Sequence, residues 1–70
     1  MMPLNMIGVG NSAKVQRVSG SDEIRRYLGN LGFVQGAEVS LLSDNEGNVI
    51  VNIKDSRIAI NKDMACHIMV

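Results

Sequence analysis

Apolar and polar positions alternate along most of this chain, and the alternation breaks at clusters of Gly, Asn and Asp. A period of two marks half-buried strands, because successive strand side chains point to opposite faces. The stretch from Ala13 to Ser19 reads as a first strand, with Ala13 and Val15 on one face and Lys14 and Gln16 on the other. Val18 falls out of step, so a bend or bulge is expected near Arg17. Residues 37–43 form a second strand with Val39 and Leu41 inward, and 49–54 a third with Val49, Val51 and Ile53 inward. The polar run Asp44-Asn45-Glu46-Gly47-Asn48 between them is a turn, and the pair makes a hairpin. Asp55 and Ser56 turn the chain again into a short strand with Ile58 and Ile60 inward. One helical turn over Asn61–Ala65 and a closing strand over Cys66–Val70 complete the pattern.

One segment changes period. Ile24, Tyr27, Leu28 and Leu31 fall at i, i+3, i+4 and i+7, a single apolar stripe on a helix over about 21–31. Ser21 is placed to cap it, and Asp22 and Glu23 put negative charge in the first turn, where the helix dipole favours it. Arg25 and Arg26 lie on the other side, within reach of those carboxylates. Gly32 stands where a left-handed stop residue is needed. Five to six short strands and one helix after the first strand predict a mainly β domain, a small barrel that hides its sheet edges.

Composition narrows the function classes. The chain has 70 residues, with no repeats or linker, and reads as a single domain over 1–70. It is 46% hydrophobic but only 3% aromatic, so its stability must come from aliphatic packing. One Cys excludes an internal disulfide and, with one His, a four-ligand Cys/His zinc site. A lone Cys, no basic-then-apolar leader and no apolar run near the length of a bilayer span indicate a cytoplasmic protein not inserted in the membrane. Seven basic residues balance seven acidic ones, which argues against nucleic-acid binding, as does the shortage of stacking aromatics.

The candidate chemical motifs fail on context. Gly8-Val9-Gly10-Asn11-Ser12-Ala13 matches a dinucleotide fingerprint, but that motif works only between a strand and a helix, and a strand follows here. The same stretch lacks the second Gly and the Ser/Thr of a Walker A loop. Asp44, Glu46 and Asn48 have calcium-loop spacing, but Val49 stands where that loop needs Gly and Asp55 where it needs Glu. Cys66 and His67 are neighbours on the expected last strand, which turns them to opposite faces, Cys66 inward and His67 to solvent. His67 with a nearby carboxylate is thus a weak candidate metal site, of a kind ferrous iron accepts. A nucleophile needs a positioned base, and His67 is the sole His, so no enzyme is expected and no cofactor is required. The loop Leu31-Gly32-Phe33-Val34-Gln35-Gly36 puts an aromatic and a β-branched side chain in a glycine-bounded turn. It either plugs the barrel end or offers a contact surface.

The segment from Leu28 to Val39 resembles the FeoA family pattern Leu-x-x-Leu-Gly-apolar-x-Pro-Gly-x-x-Val/Ile. Pro3-Leu4, Val15 to Gly20, Ile53, Arg57 to Ile60, and Ala65, Ile68 and Val70 fit as well, so the resemblance spans nearly the whole chain. Gln35 stands where the family usually has Pro, so the turn is expected to be looser, while Gly36 is retained. The resemblance implies an SH3-like barrel and an accessory role in bacterial ferrous iron uptake. It implies a partner, the iron permease FeoB, met through its cytoplasmic GTPase domain or its membrane part. Leu31, Gly32, Phe33, Val34 and Gly36 are the candidate partner-binding residues. The alternative is a module that weakly binds or senses ferrous iron or another divalent transition metal. The oligomeric state stays open at this stage.

Overall fold

A computed structural model describes residues 1–70. After a 3-10 turn over Leu4–Met6 the chain forms strands β1 (Ser12–Lys14) and β2 (Arg17–Val18), then helix α1 (Asp22–Asn30). Strands β3 (Glu38–Asp44), β4 (Asn48–Ile53) and β5 (Ser56–Asn61) follow, then the short helix α2 (Lys62–Ala65) and strand β6 (Ile68–Met69). All strand pairs are antiparallel. One sheet has the order β1-β3-β4-β5, and β2 pairs with β6 in a second.

Two expectations are corrected here. The predicted first strand is split, so the helix follows the second strand and not the first. The barrel is also not closed by a continuous ladder, because two sheets pack against a common core. The reason lies at Val15 and Gln16. The Val15 N–H donates to Ala37 O at 2.8 Å, in line with the β1–β3 ladder. The next residue, Gln16, donates to Met69 O at 2.7 Å, on β6. The chain therefore changes sheets between adjacent residues. Arg17 also stands opposite Met69, so two residues address one, which is the arrangement of the bulge expected near Arg17.

The inward faces of the central hairpin follow the predicted period. Val39, Leu41, Val49, Val51, Ile53 and Ile60 are buried, while Ile58 is half-buried. Leu42 is the unpaired residue where the β3–β4 register shifts between Leu41 and Ser43. Leu4, Val15, Leu28, Phe33, Ala65 and Ile68 complete the core, and every buried side chain is apolar. Burying a side chain of this size contributes roughly 1.5–3 kcal/mol, which is how an aliphatic chain without cross-links holds together.

Helix α1 begins and ends as its residues dictate. The Ser21 side chain accepts from the Ile24 N–H at 3.2 Å. At the other end the Gly32 N–H donates to Gly29 O at 3.0 Å and the Phe33 N–H to Leu28 O at 3.1 Å, with Gly32 at φ 110°. This paired closure needs a left-handed residue, and Gly adopts that conformation at little cost.

Candidate functional site

The loop after α1 is built by two successive reversals. The first is the helix stop at Gly32. In the second, the Ala37 N–H donates to Val34 O at 3.0 Å, with Gly36 at φ 89°. That places Gln35 and Gly36 at the two central positions of a type II turn, where the second requires positive φ. The Gly36 N–H also donates to Val15 O at 2.8 Å, which ties the turn to the point where the chain changes sheets. Gly36 therefore keeps its role without the Pro that the turn type favours beside it.

The two apolar residues of the loop part company. Phe33 is only 1% exposed and belongs to the core, whereas Val34 is 44% exposed. The two alternatives for this loop are thus divided between its residues: Phe33 plugs the core and anchors the loop, and Val34 is what the loop presents. Leu31 is half-buried against the core. Sequence pattern alone could not separate Phe33 from Val34, because a turn carries no periodicity.

Beside this loop runs an open cleft of about 700 Å³. One wall is the strand stretch Gln16–Gly20, and the other is Arg25 and Gly29 of α1 with Phe33, Val34 and Gln35. Arg25 makes an ion pair with Asp22 three residues earlier on the exposed helix face. A smaller groove of about 500 Å³ lies between α1 and β5, and Ile24, Tyr27, Ile60 and Met64 supply its apolar lining. Tyr27 is half exposed there, although it sits on the apolar stripe of the helix.

The reading of Cys66 and His67 is reversed. Both precede β6 rather than lying in it. The Cys66 N–H donates to Lys62 O at 3.0 Å and the His67 N–H to Met64 O at 3.1 Å, so the end of α2 holds both. Cys66 is exposed, with its thiol donating to Asp63 O at 2.9 Å. His67 is half-buried, and its Nδ1 lies 3.3 Å from Ser19 Oγ. No three His, Cys, Asp or Glu side chains come together as a metal site. No helix is long and apolar enough to cross a membrane.

Comparison with known proteins agrees with this fold. The family model described as FeoA domain matches residues 2–70. No curated protein matches the chain in sequence. Among solved structures, an iron uptake regulatory protein, FeoA, is 29% identical and superposes with a TM-score of 0.90, over 97% of this chain and 92% of that one. The FeoA of Stenotrophomonas maltophilia, crystallised with zinc, is 29% identical with a TM-score of 0.88, over 100% of this chain and 89% of that one. That protein is described as an SH3 domain protein and a candidate ferrous iron transport activating factor. A manganese-dependent transcriptional repressor matches at 20% identity and a TM-score of 0.86, over 94% of this chain and 38% of that one, a likeness of fold alone.

Proposed function

The chain belongs to the FeoA family, which is associated with ferrous iron transport, and from this premise we propose that it is a non-catalytic interaction module that binds and modulates FeoB. The observation that carries this reading is the family match over residues 2–70, together with a solved FeoA structure that superposes over 97% of this chain. The module acts in the cytoplasm, on the GTPase domain or the permease. Its contact surface is the loop Leu31–Gly36, with Val34 presented and Phe33 holding the loop in place. Gly32 and Gly36 set the two reversals that expose Val34.

Calorimetric titration with the cytoplasmic domain of FeoB from the same organism, with and without guanine nucleotide, tests the reading. Saturable binding that depends on nucleotide is the expected result. Heats no larger than dilution in every nucleotide state would remove the GTPase domain as partner.

The zinc in the Stenotrophomonas maltophilia protein favours a second reading, weak binding of a divalent transition metal. In this chain it would rest on His67, whose ring is held beside Ser19. Metal titration of His67→Ala against the unmodified chain decides it, since equal affinity in both would end this reading.

A further inference from the structure

We propose that the outer edge of β2 takes an extended acidic peptide segment, which adds as a strand in the cleft between β2 and α1. This inference rests on the interaction-module reading and names the chemistry of the segment that module would recognise. The first support is the phase of the β2–β6 ladder. The Ser19 N–H donates to His67 O at 2.8 Å, and Val18 pairs with Ile68. In an antiparallel ladder, hydrogen-bonded and non-hydrogen-bonded pairs alternate. Val18 and Ile68 are therefore a non-hydrogen-bonded pair, and the Val18 N–H and C=O point away from β6. No turn or loop hydrogen bond uses either group. Val18 is among the residues that line the cleft of about 700 Å³. Unpaired edge groups beside a cleft are the geometry of strand addition, in which main-chain bonds supply affinity.

The second support is charge. The chain as a whole is neutral, yet the cleft is lined by Arg17 and Arg25 and by no acidic residue. Arg17 comes from the strand wall and Arg25 from the helix wall, so an inserted segment meets positive charge from both sides. The pairing of Arg25 with Asp22 is no obstacle, because both side chains are largely exposed and such pairs exchange at little cost. Gly29 brings no side chain to the helix wall, and the space beside it is open. Complementary charge steers such a segment in and selects against basic ones.

The test is amide NMR on the full chain with two probe peptides. One is acetyl-Thr-Val-Glu-Val-Asp-Val-Thr-amide, and the other carries Lys at both acidic positions. The acidic probe is expected to shift the Val18, Ser19 and Gly29 amides and to slow exchange at Val18 by on the order of tenfold. The basic probe is expected to leave them unchanged. The double variant Arg17→Glu with Arg25→Glu, both on the surface, is expected to keep its unfolding midpoint and reverse the preference. No protection at Val18, or equal effects of the two probes, would overturn the proposal. A parallel titration with the FeoB cytoplasmic domain separates the two readings. FeoB binding without involvement of Val18 leaves the module reading standing and ends this one. Probe binding without binding of that domain supports this inference and removes the GTPase domain as partner.

Discussion

The Phe33 N–H donates to the Leu28 carbonyl at 3.1 Å, and both side chains are buried in the core. This one relationship ends the helix, starts the loop and seals the domain. Replacing Phe33 with Ala removes a buried ring that closes the helix end. The expected cost is about 3–5 kcal/mol of unfolding free energy, read from urea denaturation. An unchanged midpoint would show that the ring is not the anchor described here.

Val34 sits next to Phe33 in sequence but faces solvent. Val34→Glu is expected to change stability by no more than about 0.5 kcal/mol, as surface substitutions do. It places a negative charge at the cleft and is expected to weaken FeoB binding about tenfold, or about 1.4 kcal/mol. Full affinity in a folded Val34→Glu protein would move the contact surface elsewhere.

Gln35 occupies the first central position of the type II turn, where Pro is favoured. Its N–H makes no backbone hydrogen bond. Gln35→Pro therefore removes unfolded-state freedom without losing a native contact and is expected to stabilise the chain by about 0.4–1 kcal/mol. A lowered melting midpoint would mean that Val34 cannot adopt the extended backbone a following Pro demands.

The two-residue turn between β4 and β5 is made by Lys54 at φ 51° and Asp55 at φ 64°. Both are left-handed, as a type I′ hairpin turn requires, and neither is Gly. The Lys54 stem packs beside Gly32, so Asp55 is the better site to change. Asp55→Gly relieves left-handed strain but frees the unfolded chain, for an expected net gain of about 0.5 kcal/mol. Thermal unfolding of the single variant checks the sign.

Asn61 joins β5 to α2, and its side-chain carbonyl accepts from the Met64 N–H at 2.8 Å. Asn61→Ala is expected to cost about 1 kcal/mol, while Asn61→Asp or Asn61→Ser should keep most of the stability. Equal losses in all three would show that the cap does not carry the effect.

The local geometry of this chain was written in its neighbouring residues. The strand faces Val39 and Leu41, and Val49, Val51 and Ile53, follow from a period of two. The helix start at Ser21, its stop at Gly32 and the turn at Gly36 follow from caps and from positive φ. Tertiary packing decided the rest. Whether the first strand continued past Val15 depended on the carbonyls of Ala37 and Met69, both far along the chain. The burial of Phe33 and the exposure of Val34 depended on which side of the loop met the core. Cys66 and His67 exchanged their expected environments because the turn that ends α2 takes up the first two residues of the predicted strand. The cleft is walled by β2 and α1, close in sequence, and floored by Phe33 of a core that distant strands complete. Periodicity and capping are settled by interactions within a few residues. The choice of sheet partner and of inward face is settled by contacts that close long loops, and no local pattern encodes those.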